Sequence, residues 1–262
     1  GVNHLYIAND DHTEYFGAAD ADAYDNILPS TLDYYLNMTD ANIAANKPFM
    51  HQSKFNCDGH FWLWTYKKER NTAAFDRLID RIRSGHISVP LNALCVCLGG
   101  ASAEAVLRGM YYAGQVERQY NLRFPLVYIV ENQTIPYGLG ALWAGSGAKY
   151  SWRGICGCSS RINFDATLTR EHEIYWWRGP DGSRILMKWY SYDFLKKLGG
   201  YSEAYDPDVA VTDLINKVNT TAYPYAVAGA FGYGWDHDQR LTDDFVSVAE
   251  TTTTPTQQVY VS

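Results

Sequence analysis

Apolar residues along this chain fall in short unbroken runs, separated by stretches with helical spacing. HLYIA (4–8), HISVP (86–90), PLVYIV (125–130), ILMKWY (185–190) and AVAGAF (226–231) are continuous rather than alternating. That is the pattern of strands covered on both faces of a parallel sheet. In FDRLIDRIRSG, Phe75, Leu78, Ile79 and Ile82 follow i, i+3, i+4, i+7, and Gly85 supplies a stop. SAEAVLRGMYYAGQ repeats the spacing at Ala103, Val106, Leu107 and Met110, with Ser102 as its N-cap. WWRGPDGSRILMKW predicts a hairpin turning at Pro180-Asp181-Gly182. Thr251–Thr254 with Pro255 predicts a loop before a last strand, QQVYVS. Alternating strands and helices predict an α/β class with mainly parallel strands, as an α/β barrel or a doubly wound sheet. A length of 262 residues suits one large domain spanning 1–262, and a chain that stops on a strand reads as truncated.

Parallel sheets carry their chemistry at the carboxyl ends of strands, and three polar clusters fall there. NDDHTEY (9–15) follows the first strand and offers Asp10, Asp11, His12 and Glu14. Two readings compete. The H-x-E pair His12 and Glu14 suits one cation if the backbone is extended. Alternatively this is a solvated loop in which Asp10 or Asp11 caps a helix starting near Tyr15. Glu131 ends the apolar run PLVYIV and is either functional or the anchor of the next loop. Trp235, Asp236, His237 and Asp238 follow Gly232 and Gly234, where glycine lets backbone approach a ligand. Asp236 and Asp238 could equally cap a helix containing Phe245 and Val248.

Composition narrows the function classes. Net charge is −7 with no run of Lys or Arg, which argues against nucleic acid and anionic membrane surfaces as partners. No apolar stretch is long enough to span a membrane. Aromatic content is 15%, rich in Tyr and Trp, whose faces and polar tips suit carbohydrate. Cys95, Cys97, Cys156 and Cys158 form two C-x-C pairs, not zinc-ribbon spacing; with Cys57 they read as buried thiols, a disulfide staying open. Three N-x-T sequons, at Asn37, Asn132 and Asn219, together with carbohydrate chemistry tilt the localisation towards export. Homo-oligomerisation stays open.

Two carboxylates from different strands are what glycoside hydrolysis needs, one as nucleophile or base and one as acid. At this point the residues resemble a family. EIYWWRGPDGSRILMKWYS (173–191) is similar to a recurring block of the glycoside hydrolase family 38 α-mannosidases: an aromatic strand, G-P-D-G-S-R, then an apolar strand. IDRIRSGHISV (79–89) resembles the family's helix before G-Q-L-E-F. VYIVENQTIPYGLGALWAGSGAKYSWRG (127–154) resembles its I-D-P-F-G-H-S segment, a helix and S-G. Glu131 precedes Gly147 by sixteen residues, as the family's nucleophile aspartate precedes that glycine. GYGWDHD (232–238) resembles the G-D-D segment that holds the acid, with Asp236 the best match. His12-Thr13-Glu14 falls at the family's zinc-binding H-x-D.

The resemblance implies a distorted (β/α)7-type barrel and retaining hydrolysis of α-mannoside-like glycans. It implies one zinc held by His12, Glu14 and Glu131, with a further histidine from a region past residue 262. Glu131 and Asp236 become the catalytic pair, and Asp11, Trp235 and Asp238 the substrate contacts. Glu14 and Glu131 stand where the family has Asp, Gly17 stands where it has Trp, and D-P-F-G-H is lost around Glu131. A zinc-dependent polysaccharide deacetylase and an inactive carbohydrate-binding barrel are the alternatives.

Overall fold

A computed structural model describes residues 1–15, 18–94, 98–129, 135–153, 174–189, 202–234 and 241–262. The chain divides into two compact units, one of residues 1–56, 65–88 and 202–262, the other of residues 57–64 and 89–201. Among the described residues, five of the six strand pairings are parallel. The described strands lie in three sheets, and no closed barrel is found among them. No helix among the described residues is long and apolar enough to cross a membrane.

In the first unit, β1 (Asn3–Ala8) runs between β8 (Val227–Phe231) and β9 (Gln257–Val261), parallel to both. Leu5 and Ile7 are fully buried on one face of this central strand, and His4 and Tyr6 are part-buried on the other. β2 (Phe55–Asn56) and β3 (Ile87–Ser88) form a separate parallel pair. The strand expected at 86–90 is only two residues long, because Pro90 has no N–H to extend a ladder.

Helix α1 (Ala21–Ala44) buries Tyr24, Leu28, Leu32, Tyr35 and Leu36 along one stripe. Asp20 caps it, accepting from Ala23 N at 2.9 Å, and Tyr35 stacks on Phe55 at 4.6 Å between centroids. Helix α2 (Phe61–Glu69) precedes α3 (Thr72–Arg83), where Asn71 caps and Phe75, Leu78 and Ile79 are buried as the spacing predicts. Gly85 then turns the chain at φ 84°. On the exposed side, Asp40 of α1 takes Arg77 and Arg81 of α3.

In the second unit, four strands are ordered β4 (Leu126–Tyr128), β5 (Tyr150–Arg153), β7 (Arg184–Trp189), β6 (Ile174–Arg178). β6 and β7 form the expected antiparallel hairpin, with Asp181 accepting from Ser183 in the turn. The helix expected from 102 splits into α4 (Ala103–Arg108) and α5 (Tyr111–Tyr120), because Gly109 ends the first one. Ser102 caps α4 as expected. Helix α6 (Leu139–Gly145) packs on β6 and β7, with Trp143 edge-on to Trp177. Cys57 is a buried thiol, and the two C-x-C pairs lie outside the described residues.

Back in the first unit, α7 (Pro207–Val218) opens on Asp206 and Pro207 and packs on β1 and β8. Helix α8 (Asp244–Thr252) packs on β9.

Short strands leave polar backbone at their ends, and one side chain gathers it in. Asn56 Nδ2 donates to Asn9 O at 2.9 Å and to Ser262 O at 3.0 Å, while its Oδ1 accepts from Ser88 Oγ at 2.6 Å. The ends of β1, β3 and β9 are thereby tied to β2. Replacing Asn56 by Leu keeps the volume and removes all three bonds. We expect a loss of about 2 to 3 kcal/mol in urea unfolding.

Candidate active site at the strand ends

The segment after β1 is buried rather than solvated. Asp11 is 1% exposed and His12 7%, with Asp10 equally enclosed and Glu14 half-buried. The capping reading of this stretch is overturned: α1 begins at Ala21, and its cap is Asp20. Asp10 has a different task. Its Oδ1 accepts from the backbone N–H of Tyr233 at 2.8 Å and of Gly234 at 3.3 Å, and its carbonyl accepts from Gly234 N at 2.9 Å. One carboxylate thus fastens the end of β1 to the end of β8. Two N–H dipoles aimed at one oxygen also offset the crowding of acids in this stretch.

Asp11 is thereby pressed against the backbone after β8. A Cβ built on Gly234 would stand 2.3 Å from Asp11 Cα and 2.6 Å from Asp11 Oδ1, so only glycine fits. This is the close approach that GYG suggests, made by the protein's own chain. Burial pushes the Tyr35 phenol up, and the neighbouring Asp11 carboxylate pushes it further. The Glu14 backbone is held at both ends by one hydroxyl: Tyr24 Oη accepts from Glu14 N at 2.9 Å and donates to Glu14 O at 3.2 Å. That contact fixes the loop bearing His12 and Glu14 on α1.

Glu131, Trp235, Asp236 and Asp238 lie outside the described residues. Helix α8 starts at Asp244, whose N–H donates to Thr242 Oγ1 at 3.0 Å. Among the described residues no group of three or more His, Cys, Asp or Glu is arranged to hold a metal. Imidazole and carboxylate are the donor types zinc takes, and His12 and Glu14 supply one of each beside the buried Asp11.

Sequence reasoning passed over a second buried polar cluster, in the other unit. Asp58 is fully buried and His60 is 4% exposed. Trp62 Nε1 donates to Asp58 Oδ1 at 2.7 Å, and His60 Nδ1 donates to Leu91 O at 2.7 Å. Gly59 permits this, since a Cβ there would meet Ala93 O at 2.0 Å. Asn92 completes the group, pairing with both backbone atoms of Tyr128 through Oδ1 at 2.8 Å and Nδ2 at 2.9 Å. The signal was a carboxylate and a histidine around a glycine, in CDGH, behind a strand too short to show a period.

No family model matches this chain, and no curated protein matches it. Solved structures do. An α-mannosidase from Enterococcus faecalis V583 aligns over 99% of this chain with a TM-score of 0.70 and 15% identity. A glycosyl hydrolase family 38 protein from Enterococcus faecalis aligns over 100% with a TM-score of 0.63 and 14% identity. This chain shares their fold. A 4-alpha-glucanotransferase from Thermococcus litoralis is similar at a TM-score of 0.65 and 14% identity, again over 100% of this chain. The chain spans 28%, 26% and 39% of the lengths of those three proteins.

Gly234→Ala should lower stability by about 3 kcal/mol in urea unfolding, because backbone rather than a flexible side chain blocks the added methyl. Acid should weaken the fold through His60, whose pKa burial pushes down from 6.5 to about 4, against its bond to Leu91 O. The neutral ring is the folded form, so this contribution is complete above pH 6.5 and disappears as pH falls towards 4. Unfolding free energies at pH 7.5 and 5 should therefore differ less in His60→Gln than in the parent.

Proposed function

We propose that this chain is the catalytic region of a retaining, zinc-dependent glycoside hydrolase acting on α-mannoside-like glycans, in one (β/α)7-type barrel across residues 1–262. The observation that carries this reading is the buried Asp11 and His12 at the carboxyl end of β1, within a fold shared with two glycosidase structures. A protein does not enclose a carboxylate and an imidazole at a strand end without a task for them.

In this reading His12, Glu14 and Glu131 would hold the zinc. When bound, the ion supplies a Lewis acid that grips sugar hydroxyls and orients the ring. Glu131 attacks the anomeric carbon as the glycosidic bond breaks, and Asp236 gives its proton to the leaving oxygen. A glycosyl ester on Glu131 results. Asp236 then takes a proton from water, whose oxygen attacks the anomeric carbon and frees Glu131. Two displacements keep the anomeric configuration. Asp11, Trp235 and Asp238 contact the sugar, and Asp10 holds their two segments together.

A second reading is transfer, in which a sugar hydroxyl replaces that water. Its support is the similarity to the 4-alpha-glucanotransferase, of the same order as to the glycosidases. Products made with an added acceptor sugar separate the two: free reducing sugar marks hydrolysis, lengthened acceptor marks transfer.

Glu131→Gln should lower turnover of an aryl α-mannoside by about 10⁴-fold with the far-UV circular dichroism unchanged. Unchanged turnover removes Glu131 as nucleophile. Elemental analysis of the longest natural form should find one zinc per chain, absent from His12→Ala. Acetate release without glycosidic cleavage would point instead to a deacetylase.

A further inference from the structure

Among the described strands β8 has a neighbour on one side only, β1. Alternate residues of a parallel strand bond to the same neighbour. Ala226 O and Gly232 N bond to β1, so both backbone groups of Phe231 face the open edge. One residue takes both. Glu203 N donates to Phe231 O at 3.1 Å, and Glu203 Oε2 accepts from Phe231 N at 3.0 Å. Its neighbours extend the contact: Ala204 N donates to Gly232 O at 2.8 Å, and Ser202 Oγ donates to Gly234 O at 3.4 Å. Glu203 is 5% exposed and stands just before helix α7.

Residues 231–234 are thus hydrogen-bonded from two sides, by 202–204 on one and by Ala8 and Asp10 on the other. Elsewhere in this molecule strand ends are tied by the neutral amides of Asn56 and Asn92. At the end of β8 the tie is an enclosed carboxylate, which costs desolvation and makes a stronger bond to N–H. The amino end of the same edge has a lighter tie, from Tyr223 Oη to Val227 O at 2.7 Å.

We propose that Glu203 is a positioning residue of the strand-end site: by holding Phe231–Gly234 from the open edge, it sets where Asp11 stands. The link is steric and short. A Cβ on Gly234 would stand 2.3 Å from Asp11 Cα, so a shift of Gly234 moves Asp11. Misplacing a substrate contact by about 1 Å can cost about a hundredfold in rate. This deepens the glycosidase reading and rests on it, because the role of Asp11 as a sugar contact belongs to that reading.

The test uses the full chain with Glu203→Ala, Glu203→Gln and Tyr223→Phe. The amides of Tyr233 and Gly234 donate to Asp10, not to Glu203. Their hydrogen exchange should quicken about tenfold or more in Glu203→Ala, with Leu5 and Ile7 still protected. Glu203→Gln keeps an acceptor for Phe231 N–H and should restore slow exchange. Turnover of an aryl α-mannoside, counted per folded molecule, should fall about tenfold in kcat in Glu203→Ala and recover in Glu203→Gln. Tyr223→Phe loses a bond on the same edge and should change neither readout. A merely structural tie would lower the folded fraction and leave kcat per folded molecule unchanged. Glu203→Met, close in volume and without an oxygen acceptor, takes the place of Glu203→Ala if that variant does not fold. The proposal is overturned by unchanged exchange at Tyr233 and Gly234, by unchanged kcat in Glu203→Ala when the parent turns over, or by a loss in Glu203→Gln equal to that in Glu203→Ala. A parent without turnover sinks the active-site reading, and exchange at Tyr233 and Gly234 then decides the positioning by itself.

Discussion

The first unit depends on one amide. β2 and β3 are two residues each, too short for ladder bonds to hold them, and Asn56 replaces the missing ladder with its side chain. A single planar group with two donors and an acceptor reaches three chain ends at once. The second unit uses the same device, where Asn92 pairs with both backbone atoms of Tyr128 like a neighbouring strand. Where strands are this short, side-chain amides do the work of sheet.

That scaffold sorts the acids after β1 into different tasks. Asp10 and Asp11 are adjacent and both enclosed, and Asp10 spends its carboxylate on backbone N–H groups of the β8 end. Asp11 is held against Gly234 by the same stitch. Tyr24 clamps the Glu14 backbone from the helix side. The loop is positioned from two directions, as the site proposed above, working by orientation, requires.

Much of this was legible in the residues. The apolar runs around β1, β4, β7 and β8, the α3 stripe and the Pro180-Asp181-Gly182 turn all appear where pattern and turn chemistry put them. The start and extent of helix α1 were not legible because Pro29 and many Asn, Asp and Thr residues mask a stripe that tertiary packing rescues. The break between α4 and α5 lies at one glycine inside an otherwise continuous period. Around the site, the burial of NDDHTEY was the unreadable part. Charge in a sequence looks the same whether it meets water or two N–H groups donated from more than two hundred positions away. Asp58 and His60 were hidden for a related reason, since a strand of two residues announces nothing.

The pairing of β1 has a consequence for how the molecule comes into being. β1 lies between β8 and β9, strands more than two hundred positions later, with His4 aligned to Val227 on one side and to Gln258 on the other. Synthesis at about 5 to 20 residues per second leaves β1 waiting roughly ten seconds or more for either neighbour. During that interval an apolar strand has both edges open, a state that invites pairing with other chains. The second unit draws its strands from the middle of the chain and has no such delay. Nascent protein should therefore need its chaperones at β1, long before the residues that finally cover it exist.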